Sequence, residues 1–357
     1  MTSGSGRHVR AAPAGAAADA ALEAATDVTA ERVLVTGASG MLGRATAAAV
    51  AARGHGTRSF QRGPAGVPGV EDVRGSLTDA GAVERAVAGR TAVVHLAAKV
   101  GVTGPESEYR AVNVDGTRAL LAAARAAGVR RFVMVSSPSV AHVGTSIVGD
   151  GAGPADPERA RGPYARTKAA AELFALAEDS PEMRVLAVRP HLVWGPGDRQ
   201  LVEGVLSRAR RGRLPLLDGG AALVDSTYVD NAADAMVAAL EAPPDAWGDA
   251  YVVTNGEPRP VRDLLAGMCR AAGVPVPTWS VPAAVARGAG GVIEALWAAR
   301  PAWGEPPMTR FVAEQLSTAH WFDQRRTHEA LRWTPAVTLD EGFARLAAHL
   351  RGPGAED

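Results

Sequence analysis

Short apolar runs bounded by glycine alternate with alanine-rich amphipathic stretches through the first half of the chain. Arg32–Thr36 (RVLVT) has the continuous apolar character of a strand buried on both faces. A glycine loop follows, then a predicted helix over about 41–53. Thr57–Gln61 reads as a second strand and Val70–Arg74 as a weaker third, with a helical segment over Ala82–Val87. Ala92–Ala97 (AVVHLA), Arg131–Ser136 (RFVMVS) and Arg184–Arg189 are the fourth to sixth strands. A long helix over 106–127 divides the fourth from the fifth. A Gly/Pro-rich loop at 143–163 and a helix over Tyr164–Glu178 divide the fifth from the sixth. Strands alternating with helices in this way build βαβ units, so the expected class is α/β with a doubly wound parallel sheet.

Beyond residue 190 the alternation weakens into shorter helices (201–212, 231–241, 261–272) and more Gly and Pro. The expected organisation is a disordered Ala-rich arm (1–30), a nucleotide-binding domain (31–190), a smaller mixed C-terminal substrate-binding region (191–350) partly interleaved with it, and a tail (351–357). Residues 281–300 are apolar but broken by Arg287, Glu294 and four glycine or proline positions. That is too interrupted to predict a transmembrane helix. The expectation is a packed or interfacial helix, with peripheral membrane contact as the competing reading.

The charge balance, 38 basic against 38 acidic side chains, argues against a nucleic-acid partner. One cysteine among 357 residues excludes an intrachain disulfide framework, and the eight histidines show no zinc-helix spacing, so no metal is expected. No signal-peptide run precedes the first strand, so a cytoplasmic protein is expected. The only lysines are Lys99 and Lys168, which makes the setting of each informative.

Gly37-Ala38-Ser39-Gly40-Met41-Leu42-Gly43 joins the first strand to the first helix. Its glycines allow a tight turn and close approach of backbone amides to a pyrophosphate, and the helix N-terminus adds partial positive charge. This is the phosphate loop of a Rossmann-type sheet, spaced GxxGxxG rather than GxGxxG. No acidic residue lies between Glu31 and Glu71 to bind ribose hydroxyls, whereas Arg44 and Arg62 are placed to meet a 2′-phosphate. NADP(H) is therefore favoured, with NAD(H) the alternative.

Tyr164 and Lys168, four residues apart on one helix, share a face. An ammonium beside a phenol favours the phenolate and lowers its pKa, so the pair can move a proton at a hydroxyl or carbonyl oxygen. Ser136-Ser137 ends the fifth strand at the carboxyl edge of the sheet, where ligands bind. A hydroxyl there can polarise a reacting oxygen. Spacing favours Ser137, with Ser136 or Ser139 as alternatives.

Gly37-xx-Gly40-xx-Gly43, His95-Leu96-Ala97-Ala98, Asn113-Val114-Asp115-Gly116-Thr117, Ser136-Ser137 and Tyr164-xxx-Lys168 together resemble an extended short-chain dehydrogenase/reductase over about residues 32–350. Within that superfamily the chain is most similar to the 3β-hydroxysteroid dehydrogenase/isomerase branch, and more closely to bacterial 2-alkyl-3-oxoalkanoate reductases of olefin biosynthesis. The stretches carrying this are Ser136–Val140, Arg189–Asp198, Tyr228–Ala235, Pro306–Phe311 and His320–Phe322. The resemblance implies Tyr164 as acid/base, Lys168 on the nicotinamide ribose, Ser137 on the substrate oxygen and Asn113 in a proton relay. It implies Gly37, Ser39, Gly40, Met41 and Leu42 at the pyrophosphate, with Leu77, Ala97, Ala98 and Lys99 along the cofactor. Pro190, Leu192 and Val193 would meet the carboxamide. Where relatives carry an acid after the third strand, this chain reads Gly75-Ser76-Leu77. Relatives that pair do so through the Tyr-bearing helix, which implies a homodimer.

Nucleotide-sugar dehydratases add an acidic pair beside the serine, where this chain has Pro138-Ser139, and nucleotide-sugar enzymes place an arginine where it has Val224. An apolar side chain cannot grip a diphosphate. Trp194, Trp279, Trp297, Trp303, Trp321 and Phe311 suit a hydrophobic substrate. The expected activity is reduction of a hydrophobic ketone of 2-alkyl-3-oxoalkanoate type. Oxidation of a 3β-hydroxysteroid-like alcohol and nucleotide-sugar epimerisation are the alternatives. A non-catalytic NADP-sensing binder is disfavoured because both Tyr164 and Lys168 are present.

Overall fold

The computed structural model describes residues 30–352, except 102, 103, 143 and 299–308. Nearly all of the expected arm, most of the tail, Trp303 and 306–308 therefore lie outside the described residues.

Strand β1 (Arg32–Thr36) leads through the glycine loop into helix α1 (Met41–Ala52), then β2 (Gly56–Gln61), β3 (Glu71–Arg74), α2 (Ala80–Val87) and β4 (Ala92–His95). Val33, Leu34 and Val35 of β1 are fully buried, as a strand covered on both faces requires. The expected helix over 106–127 is three joined segments: α3 (Glu106–Tyr109), a π-helical stretch (Arg110–Asp115) and α4 (Gly116–Ala126). β5 (Arg131–Val135) follows. A short strand, β6 (Ile147–Asp150), interrupts the stretch expected to be loop, because the later strand β15 (His320–Phe322) pairs with it. Then come α5 (Gly162–Ala177), β7 (Arg184–Pro190), β8 (Val193–Trp194), α6 (Leu201–Arg210), β9 (Leu216–Leu217), β10 (Leu223–Val224) and β11 (Thr227–Tyr228). Next are α7 (Val229–Leu240), β12 (Ala250–Val253), β13 (Arg259–Pro260), α8 (Val261–Ala271), β14 (Ser280–Val281) and α9 (Ala283–Ala298). α10 (Arg310–Ser317), β15, α11 (Arg325–Leu331) and α12 (Leu339–Arg351) complete the order.

The central sheet has seven parallel strands in the order β12-β7-β5-β4-β1-β2-β3. It is the doubly wound Rossmann-type sheet, and its order reverses between β4 and β1. Loops leaving the carboxyl ends on either side of that switch diverge and leave a crevice. β12 supplies one edge from beyond residue 190, so the C-terminal part of the chain is woven into the sheet. A smaller mixed sheet, β13-β10-β15-β6, joins three C-terminal strands to β6 from the first half of the chain.

Candidate active site

The carboxyl ends of β1, β2, β3, β4, β5 and β7 open into one cleft of about 1430 Å³. Its floor is the glycine loop, and each glycine answers a different demand. Gly37 adopts φ +78, and a Cβ there would lie 2.8 Å from the Ala97 nitrogen. A Cβ on Gly43 would fall 2.2 Å from the Gly37 carbonyl oxygen, so α1 could not pack against the loop. Gly40 would meet only that oxygen, at 3.5 Å, leaving its other side to the cleft. No side chain caps α1 and no acid sits in its first turn. Its leading N–H groups are thus available to an anion. This cradle fits a dinucleotide pyrophosphate.

Ser39, Gly40, Met41, Leu42, Arg62, Leu77, Ala97, Ala98, Lys99, Ser137, Tyr164, Lys168, Pro190, Leu192 and Val193 all line the cleft with Gly37. Arg44 lines it too. Arg44 and Arg62 are exposed, and neither has an ion-pair partner among the described residues. The nearest acid on the neighbouring strand, Asp72, is turned aside. Its carboxylate accepts from the Ser59 hydroxyl (3.1 Å) and the Gln61 amide. Gly75 follows β3 because a Cβ there would strike the Phe60 ring at 2.6 Å and Ala82 at 2.7 Å, so no acid fits at that position.

At the inner end, Tyr164 and Ser137 line the cleft together, the serine hydroxyl acting to lower the phenol's pKa. Ser139 supports the serine, its hydroxyl donating to Ser137 Oγ at 3.0 Å and its backbone N–H at 3.3 Å. Ser136 also lines the cleft, but its buried hydroxyl has no partner. The arrangement separates the three serines into one at the tyrosine, one behind it and one apart.

The expected depression of the tyrosine pKa is not what the site shows. Burial pushes the Tyr164 phenol up to about 12, the Ser137 hydrogen bond offsetting part of this. The Lys168 ammonium donates instead to the main-chain oxygen of Val135, 2.6 Å away. Burial lowers Lys168 to about 8, against the raising effect of Glu172 one turn further along α5. The phenol is therefore a proton reservoir at neutral pH rather than a standing phenolate.

Asn113 is the one predicted site residue outside the cleft lining. It sits in the π-helical stretch, where the widened turn directs it inward. Its carbonyl oxygen accepts from the Lys99 backbone N–H (2.7 Å), and its amide donates to the Lys99 carbonyl (3.1 Å) and the Thr167 hydroxyl (3.1 Å). It thus ties the loop after β4 to α5. The Lys99 ammonium pairs with Glu108 at 2.7 Å.

Sequence reasoning missed two supports. A buried chain runs from the Thr36 hydroxyl through His95 to Thr117 and the Asn113 carbonyl. Burial lowers the His95 pKa to about 3, so the ring stays neutral. Beneath Lys168, Glu172 pairs with Arg189, whose guanidinium also donates to the Gly153 carbonyl at 3.0 Å. Glu172 follows Lys168 by four residues, which was the available signal. Leu192 adopts φ +43, a left-handed conformation costly for a branched side chain and typical of functional loops. Of the aromatic candidates, Trp194 is buried in the core and Trp279 is exposed; neither these nor Trp297, Trp321 or Phe311 lines the cleft. Val224 is buried in the hydrophobic core cluster that also contains Trp194 and Tyr228. Among the described residues no cluster of metal-ligating side chains occurs.

A glycine-loop crevice with tyrosine, lysine and serine at its inner end defines an NAD(P)-dependent oxidoreductase of the extended short-chain type. Residues 33–254 match the NAD dependent epimerase/dehydratase family, and the chain belongs to it. Among its relatives, a 2-alkyl-3-oxoalkanoate reductase of Stenotrophomonas maltophilia is 42% identical over 326 residues, 89% of this chain and 98% of the relative. Another of that name from Shewanella oneidensis is 36% identical over 349 residues, 93% and 90% of the two chains. The solved structure of MoeE5 in complex with UDP-glucose and NAD superposes with a TM-score of 0.70 at 25% identity, covering 90% of this chain and 98% of that one.

Proposed function

We propose that this enzyme is an NADPH-dependent reductase of a long-chain 2-alkyl-3-oxo acid, delivering a secondary alcohol. The observation that carries the reaction is the convergence of Tyr164, Ser137 and Lys168 on one cleft with the glycine loop, the serine held by Ser139 and the lysine by Val135. A reduced nicotinamide, when bound, supplies the hydride that reaches the carbonyl carbon. Ser137 holds the carbonyl oxygen, oriented by Ser139. Tyr164, protonated at neutral pH, gives its proton to that oxygen as charge develops there, completing the alcohol. Lys168, anchored on Val135, keeps a positive charge beside the reaction and would bind the nicotinamide ribose.

The 2′-phosphate is assigned to Arg44 and Arg62, supported by their unpaired guanidinium groups and by the engagement of Asp72 with Ser59 and Gln61. The substrate class draws on the names of the two reductases and on Val224. A buried valine where sugar-nucleotide enzymes carry an arginine argues against a diphosphate-bearing substrate.

The test is NADPH consumption with a long-chain 2-alkyl-3-oxo acid by the wild type and by Tyr164→Phe. Turnover should drop by at least about a hundredfold in the variant while NADPH still binds. Undiminished turnover would refute the proton donor. Wild-type inactivity on the acid with activity on a steroid alcohol would refute the substrate.

A further inference from the structure

Helix α9 is apolar on two opposite sides, yet only one is covered. Its inner side presents Ala283, Ala286 and Gly290, packed on Leu217 of β9 and on α10; a Cβ on Gly290 would lie 2.7 Å from the Arg310 nitrogen. Its outer side carries Val285, Val292 and Leu296, which are 59%, 62% and 52% exposed, with exposed Gly288, Ala289 and Ala295 between them. The one acidic side chain of the helix, Glu294, is turned to accept from the Arg310 N–H at 2.9 Å. Nine large apolar side chains are exposed among the described residues, and four of them, counting Trp279 at 47%, fall between 279 and 296. A helix apolar all round is normally enclosed, and an exposed apolar face marks a contact surface.

What covers it is indicated by charge. Strand β14, which leads into α9, pairs with β9, and the Leu216 N–H donates to the Trp279 carbonyl at 2.9 Å. Just before Leu216 stand Arg208, Arg210, Arg211 and Arg213, all exposed and none with an ion-pair partner among the described residues. Two arginines at a helix C-terminus would satisfy the dipole; four, continuing past the helix end, exceed that need. An unpaired cationic cluster beside an exposed tryptophan and an uncharged apolar helix face complements a negatively charged lipid surface. Among the described residues no helix is long and apolar enough to cross a membrane, so contact through this face would be peripheral.

We propose that α9, Trp279 and the Arg208–Arg213 cluster form a docking surface for an anionic lipid bilayer. This stands on the surface alone and does not depend on the substrate assignment. The test is flotation of the full chain with vesicles of phosphatidylcholine, and with vesicles of phosphatidylcholine and phosphatidylglycerol in equal parts. Binding should favour the anionic vesicles and weaken with added salt. Replacing the four arginines with glutamine should lower affinity by up to roughly a thousandfold. The double variant Val292→Glu, Leu296→Glu should abolish binding. Both variants should bind NADPH like the wild type, which shows that they fold. Absence of wild-type flotation, or flotation unchanged in folded variants, would overturn the proposal. So would a wild-type dimer that the glutamate variant converts to monomer without any vesicle binding, since the face would then join two copies of the chain.

Discussion

Lys168 donates its ammonium to the main-chain carbonyl of Val135 at 2.6 Å, tying α5 to the end of β5 where Ser136 and Ser137 begin. The contact fixes the distance between the strand that carries the serine and the helix that carries the tyrosine. The ammonium is thereby held by the backbone of β5, and what sets the phenol's pKa is burial and the Ser137 hydroxyl.

A pH profile follows. Burial lowers Lys168 to about 8, so its charge is present below that value and lost above it. The rate of ketone reduction at saturating substrate should fall as pH rises through about 8. Lys168→Arg should move the falling limb to higher pH, because a guanidinium stays charged there. A limb at unchanged pH in that variant would assign it to another group.

The proposed preference for NADPH assigns the 2′-phosphate to Arg44 and Arg62. Losing one charge-assisted contact to a 2′-phosphate costs about 1.5–3 kcal/mol, or roughly ten- to a hundredfold in affinity. Arg62→Ala should therefore raise the Kd for NADPH by that factor and leave NADH nearly unchanged, as read by nicotinamide fluorescence titration. Equal losses for both would remove the phosphate from this arginine.

Glu172 and Arg189 form an ion pair with both side chains almost wholly excluded from water. Removing one partner of such a pair strands a buried charge, at a cost of about 3–5 kcal/mol. Glu172→Gln should lower the urea midpoint accordingly. The double variant Glu172→Leu, Arg189→Met should recover part of the loss, since it leaves no charge uncompensated.

Acid should weaken the C-terminal region. His142 Nε2 lies 3.1 Å from His320 Nε2, and the rings of His191 and His320 meet edge to face at 5.8 Å. Burial lowers all three, His191 to about 4 and His320 to about 3. The unfolded chain then binds protons below about 6.5 that the folded chain does not, so stability falls as pH drops from about 6.5 toward 4, by about 1.4 kcal/mol per pH unit for each proton. Asp225, raised to about 6 by burial, works in the opposite sense. His95, also lowered by burial, adds to the three imidazoles, and Asp234, also raised, adds to Asp225. The imidazoles outnumber the carboxyls, so the urea midpoint should still decline between pH 6.5 and 4.5, and decline less in His320→Gln. A midpoint that does not move over that range would show that the cluster is hydrated.

Much of this architecture was legible along the chain because it rests on local periodicity. β1, β5 and β7 read directly as apolar runs, and the glycine loop between β1 and α1 is a contiguous motif whose backbone demands only glycine meets. β6 was not legible: Ile147–Asp150 lies in a Gly/Pro-rich stretch and becomes a strand only through pairing with β15, more than 160 residues later. The π-helical turn at Asn113 was hidden for a related reason. A stretch of only six residues with i→i+5 bonding, between two α-helical segments, is too short to set a periodicity of its own, and the Asn113 side chain bonds there to the Lys99 backbone.

The sequence by itself determined the doubly wound sheet and the glycine loop, and it singled out Tyr164, Lys168 and Ser137, which the structure brings to one cleft, because each follows from residue types at short fixed spacings. Tertiary structure decided the electrostatic state of that set. Whether a lysine four residues from a tyrosine lowers its pKa depends on what else competes for the ammonium and on how much water reaches the phenol. Here the Val135 carbonyl takes the ammonium and burial holds the proton on Tyr164. Both depend on chain segments brought together only by folding.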